Sequence, residues 1–183
     1  RIFTEKYGAH IAPHGKTTMS PQLFQRQIDD GAWAITVANV HQLRLCREWK
    51  VKRVLMANQV VGRQNIKELM RELVNPPKFD FYMLVDSLQN ANQLAAAAKE
   101  HNLKEPIQVL VELGFQGGRT GCRTIKEAFE LAQSVNSLNP LLALRGVEGY
   151  EALLRSQENS ENSICKFLEE LNKLVNLCIS EDL

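Results

Sequence analysis

The stretch "AHIAPHGKTTMSP" (residues 9–21) runs from a short apolar segment through Pro13-His14-Gly15-Lys16 into a helix-start signal at Ser20-Pro21. Two chemistries use a lysine in such a place. One is phosphate binding, where G-x-x-x-x-G-K-[ST] lets consecutive backbone N–H groups wrap an anion. Counting back from Gly15, the first glycine should stand at position 10, which holds His10, and Pro13 removes a donor from the middle of the loop. Against that, "FYMLVD" (81–86) offers an apolar strand ending in an Asp able to hold magnesium, so P-loop nucleotide binding is kept as the weaker alternative. The other chemistry is imine formation. A lysine for that purpose must be held rigidly and partly desolvated, so that its amine gives up its proton and frees a lone pair. Pro13 stiffens the approach to Lys16, and Gly15 lets the backbone pass close to a ring.

Two further stretches carry candidate groups. In "VELGFQGGRTGCR" (111–123), four glycines in eight positions form a flexible turn with Arg119 inside it. Such a loop permits close backbone approach to a ligand, and the arginine can donate to an anionic oxygen. Glu112, on the strand before it, would place a carboxylate near that arginine if its strand faces inward; an ordinary structural ion pair is the competing reading. In "RGVEGYE" (145–151), Tyr150 follows two glycines and could present its ring to a planar ligand, or simply pack.

These residues all sit at the ends of short apolar runs: Ala9–Ala12, Ala32–Ala38, Val54–Ala57, Phe81–Val85, Ile107–Leu113 and Leu141–Leu144. Several show little polar alternation, as strands buried on both faces should. Helical patterns separate them, with Ser20, Asn39, Ser87 and Thr124 as N-caps and a long stripe from Ile164 to Cys178 at the end. Strand and helix alternating six times predict an α/β fold with a parallel sheet, either open and doubly wound or part of an eight-stranded barrel. In both, ligands bind at the C-terminal ends of the strands, where Lys16, Arg119 and Tyr150 stand.

The totals narrow the possibilities. The chain has 183 residues, 44% hydrophobic and 23% charged, with a net charge of +1. That balance gives no electrostatic reason for a nucleic acid or an acidic membrane as partner. The four cysteines make no C-x-x-C pair, so a disulfide framework or structural zinc is not expected, and a reducing cytoplasm is the expected location. No apolar run approaches a membrane span of roughly 18 residues.

Taken together, "APHGKTTMSP", "GAWAITVAN", "RVLMANQVVG", "VELGFQGGRTGCR" and "RGVEGYE" resemble the alanine-racemase-type barrel of fold type III pyridoxal-phosphate enzymes. The nearest branch is the D-threonine aldolase, D-serine dehydratase and amino acid deaminase group. The likeness runs from His10 to about Leu183, and the Pro-His-Gly-Lys-Thr motif is its most specific part. The resemblance implies a parallel (β/α) barrel of the TIM type and pyridoxal 5'-phosphate as cofactor. It makes Lys16 the amine that joins the cofactor aldehyde and Arg119 a contact of the phenolic oxygen. Tyr150 would pack against the pyridine ring and share in catalysis. His14, beside the lysine, and Glu112, behind the arginine, complete the expected cofactor set. Many relatives carry Asp where this chain has Gly114, which changes the hydrogen bonding behind the arginine. No metal ligand is assigned.

The implied activity is a lyase acting on a D-amino acid such as D-serine or D-threonine, with deamination by dehydration first, aldol cleavage second and racemisation third. A non-catalytic pyridoxal-phosphate carrier of the same fold is a further alternative. The family closes eight strands, adds a β-domain and pairs into homodimers. Residues 1–183 are expected to supply about six of the eight βα units, with the rest of the barrel and the β-domain absent. No glycine follows Gly149, so no glycine-rich phosphate loop is expected in Tyr150–Leu183. The isolated chain is therefore expected to be weakly active at best.

Overall fold

The apolar runs become parallel strands that alternate with helices, as buried strands joined by crossovers must. The structure, a computed structural model, describes residues 2–74, 79–156 and 160–183, in two compact units, Arg1–Met83 and Leu84–Leu183.

The first unit holds helices α1 (Ile2–Tyr7), α2 (Pro21–Asp29), α3 (Val40–Glu48) and α4 (Arg63–Val74), with strands β1 (Ile35–Val37), β2 (Arg53–Met56) and the start of β3 (Asp80–Val85). Pairing is parallel and in chain order, with Ile35 beside Val54 and Val54 beside Phe81. Ser20 caps α2 with Pro21 at its first position, and Asn39 caps α3 by accepting from the Gln42 N–H. The core is Phe24 of α2, Leu43 of α3 and Leu69 of α4 packed with Ile35, Val54 and Met83. At its rim Arg53 lies over the Trp33 ring, 4.7 Å from its centroid, and pairs with Asp80.

The second unit holds α5 (Leu88–Glu100), β4 (Ile107–Leu113), α6 (Ile125–Ser137), β5 (Leu142–Gly149), a short 3-10 turn (Ala152–Ser156) and α7 (Ser160–Ser180). Thr124 and Glu127 close a reciprocal capping box on α6. α6 packs on β4, β5 and α7. Ala128, Ala132 and Val135 face Val109, Val111 and Leu142 in a core that is almost fully dry. No helix is long and apolar enough to cross a membrane among the described residues.

Two expectations need correction. Ala9–Ala12 is not a strand, so the described residues form five strands instead of six. Its carbonyls do reach β1: Trp33 N–H donates to Ile11 O (2.8 Å) and Thr36 N–H to Pro13 O (2.8 Å). Only a single bridge, His14 to Thr36, survives, because Pro13 has no N–H to continue a ladder. β5 runs through Gly149, well past the expected end at Leu144. It passes Gly146 by a bulge: Val109 pairs with Leu144 but Leu110 with Gly146, leaving Arg145 unpaired, and Gly146 takes φ +147°. Gly146 is the residue that lets the strand continue past the bulge.

Candidate active site

Lys16 lies at the end of the extended segment in the first unit. Its backbone is fixed on both sides. Gly15 N–H donates to Thr36 O at 2.7 Å, Met19 N–H to Gly15 O at 2.9 Å, and Gln42 Nε2 to Lys16 O at 3.3 Å. Thr36, 5% exposed, secures the same segment by donating its hydroxyl to Ala12 O at 2.8 Å. Gly15 is buried, and a Cβ there would collide with the Phe24 ring and press on Ile35. Only glycine lets the chain pass this close to the core. The amine itself is exposed, with no hydrogen bond or ion pair among the described residues. Partial desolvation was expected of it and is not found in this unit, because residues 16–18 form an exposed turn. His14 is exposed alongside.

In the second unit, the glycine loop after β4 is tied rather than flexible. A bridge from Leu113 to Cys122 closes its neck, with Gly114 N–H donating to Cys122 O and Cys122 N–H to Glu112 O, both at 2.8 Å. Gly114 and Gly121 meet back to back: a Cβ on Gly121 would strike Gly114, and one on Gly114 would strike the Thr120 carbonyl. A side chain at Gly114, such as the Asp that the resemblance led us to expect, has no room. Behind the loop Arg123 donates to Thr120 O (2.7 Å) and Gly118 O (3.1 Å). Gly121 N–H donates to the Asp86 carboxylate at 3.2 Å. Arg123 was not singled out by sequence; its signal is the i+4 spacing from Arg119 across the glycines.

Arg119 itself is exposed and lies over the Tyr150 ring, 5.0 Å from the centroid. That contact is cation–π. It makes no hydrogen bond or ion pair among the described residues, so its donors remain available. Tyr150 is 42% exposed and is aimed by Gly149, whose Cα approaches Phe167 and Leu171 of α7 too closely for a side chain. Glu112 is 3% exposed and accepts from the Thr120 hydroxyl at 2.5 Å. The ion pair of Glu112 with Arg119 that the sequence allows is replaced by this neutral donor.

Glu148 was also missed. It is the register partner of Glu112, and its Oε2 is buried with no hydrogen-bond partner. Burial, and then the neighbouring Glu112 carboxylate, push its carboxyl up to about 7; Arg119 pulls it partly back, and Glu151 adds a small upward push. Cys122, below the loop, is driven up to about 11 chiefly by burial, which leaves it an inert thiol.

Because Arg123 holds both carbonyls that flank Arg119, Arg123→Ala is expected to release the loop. The two lost bonds to part-buried carbonyls are worth about 1–2 kcal/mol, and amides of residues 117–121 should exchange roughly tenfold faster or more by hydrogen–deuterium mass spectrometry. Unchanged exchange would show that the glycines alone hold the loop.

The alanine racemase, N-terminal domain family matches residues 6–180. The chain is 24% identical over 165 residues to the 3-hydroxy-D-aspartate aldolase of Paracoccus denitrificans (strain Pd 1222), covering 90% of this chain and 41% of that protein. It is similar in fold to the D-threonine aldolase of Filomicrobium marinum (TM-score 0.76, 23% identity, 84% of this chain and 40% of that one). The D-threo-3-hydroxyaspartate dehydratase of Delftia sp. HT23 gives a TM-score of 0.70 at 20% identity, over 88% of this chain and 44% of that one. The chain thus spans about two fifths of the length of these relatives. Parallel strands alternating with helices form part of that barrel-like fold, and alanine racemase and D-threonine aldolase family members are pyridoxal-phosphate enzymes. By a match covering nearly its whole length, this chain belongs to the alanine racemase N-terminal domain family.

Proposed function

We propose that the chain carries the covalent and cationic cofactor groups of a pyridoxal-phosphate lyase acting on β-hydroxy D-amino acids. The observation that carries this is the turn at Gly15-Lys16: a backbone locked against β1 and Phe24, bearing an amine that pairs with no group among the described residues. Arg119, with free donors over an aromatic face, fits the phenolic oxygen of such a cofactor, and Tyr150 fits its ring. The P-loop alternative is disfavoured, since Pro13 and the buried Gly15 leave no run of free N–H groups around Lys16.

When bound, the cofactor withdraws electrons from the substrate's Cα, which weakens the bonds to it. The protein's residues do the rest. Lys16 Nζ would hold the cofactor aldehyde and, as a free amine, would take or return the Cα proton. Arg119 would hold the phenolic oxygen, and Tyr150 would face the ring. His14, exposed beside Lys16, would join the groups around the cofactor. Loss of the substrate's hydroxyl as water after Cα deprotonation would leave an enamine, which one water hydrolyses through its imine to a keto acid and ammonia. Removal of the hydroxyl proton instead cleaves Cα–Cβ, giving glycine or its analogue and an aldehyde. Both outcomes are represented among the similar proteins, one called an aldolase and another a dehydratase. We place dehydration first and aldol cleavage second; racemisation and cofactor carriage without turnover are the remaining readings.

Mixing the protein with pyridoxal phosphate should produce violet absorbance that borohydride abolishes. Yellow colour that gel filtration strips away before reduction would contradict the proposal. ATP binding without colour would favour the nucleotide reading.

A further inference from the structure

The bulge in β5 has a chemical consequence. Were the ladder regular from Val109 onward, Val147 would stand beside Glu112. The extra residue at Arg145 moves Glu148 there instead. Register partners on adjacent parallel strands lie about 4.8 Å apart and point to the same face. Two carboxylates are thus set side by side, one of them 3% exposed. Glu112 accepts the Thr120 hydroxyl, which suits an ionised acceptor. The Oε2 of Glu148 faces no donor, so an added proton there costs no existing hydrogen bond. Two like charges this close, out of water, do not both ionise readily.

We propose that Glu112 and Glu148 hold a single proton between them, carried by Glu148, and that this neutral member positions Arg119 by keeping it free for an anionic oxygen of the ligand. This deepens the function proposed above and rests on that reading for the identity of the ligand. With one proton in the pair, a single negative charge faces Arg119, and Thr120 already occupies it. The guanidinium then stays over Tyr150 with its donors open. Once the proton leaves, a second carboxylate competes with the ligand for Arg119. Glu148 is accordingly a positioning residue, acting through Arg119. The charged groups that act on it are Glu112 on β4, Arg119 in the loop after β4 and Glu151 just past β5.

The direction of the effect is fixed by the raised value. The neutral form is favoured in the fold, so this contribution is full below the ordinary 4.5 and fades as the pH rises through about 7. Ligand binding through Arg119 should weaken over the same range.

The test uses protein labelled with 13C at the glutamate carboxyls, the Glu148 signal being assigned by its loss in Glu148→Gln. Its titration midpoint is expected near 7. It should fall by about one pH unit in Glu112→Gln and rise in Arg119→Gln, an exposed substitution that spares the core. The second arm measures binding of pyridoxine 5'-phosphate, which keeps the phenolic oxygen but has no aldehyde. Between pH 6 and 8.5, wild type should lose roughly tenfold in affinity relative to Glu148→Gln. An ordinary glutamate midpoint, one indifferent to both substitutions, a flat affinity ratio or no binding at any pH each overturns the proposal. Because this probe cannot react with a lysine, failure of Lys16 to form its link is read separately, by borohydride.

Discussion

Alanine in place of Lys16 is expected to abolish the violet, borohydride-fixable adduct with pyridoxal phosphate, yet leave stability within about 0.5 kcal/mol of wild type. The two halves of that result have different physical sources. Stability should not move because the amine is exposed and makes no hydrogen bond or ion pair among the described residues. The fixed part of the turn is its backbone, through Gly15, Thr36 and Gln42. The adduct should vanish because the reaction needs a neutral nitrogen lone pair at that one place. Lys16→Arg sharpens the point. Arginine keeps the positive charge but stays protonated, so it should behave like alanine in the absorbance experiment and like lysine in thermal unfolding. If Lys16→Arg retains the adduct, some other amine has reacted.

Gly121→Ala should be the most damaging substitution in the second unit, costing about 3–5 kcal/mol in urea unfolding. Two penalties combine. Gly121 has φ +89°, a conformation that alanine adopts only at a cost of about 1–2 kcal/mol. Its new methyl would also drive into Gly114 N and Cα and the Leu113 carbonyl carbon. Those atoms belong to backbone that closes the loop neck, so nothing can rotate aside. Gly117→Ala is the matched control: φ is +77°, but no heavy atom lies within 4 Å of the added carbon. It should lose only about 1 kcal/mol, the conformational part alone. Equal losses at the two positions would show that strain, and not the back-to-back approach of Gly114 and Gly121, governs the loop.

Much of this was legible in the residues. N-caps at Ser20, Asn39, Ser87 and Thr124 rest on local chemistry, and all four side chains accept the expected backbone N–H. Apolar runs flanked by such caps mark β2, β3 and β4 to within a residue. The candidate groups also stood out, because Gly-Lys and Gly-Gly-Arg are unusual at strand ends. What was hidden depended on partners distant in sequence. Pro13 sits beside an apolar run, but whether it ends a ladder depends on the donors that Thr36 and Trp33 offer. The strand was expected to end at Leu144, and only pairing with β4 carries it past Gly146 by a bulge that selects Glu148. Arg123 gained its role only when the loop folded its carbonyls onto it. Glu112 shows the same limit: burial was foreseeable, whereas the choice of Thr120 over Arg119 is set by how the loop returns.

The most direct measurement is to locate the bond. Wild-type protein would be reduced with borohydride in the presence of limiting pyridoxal phosphate, then digested and mapped by mass spectrometry. The label should fall on the peptide containing Lys16, and D-serine added before reduction should release it. Label spread over solvated lysines such as Lys126, whose side chain is 83% exposed, with Lys16 no more modified than they are, would contradict the account.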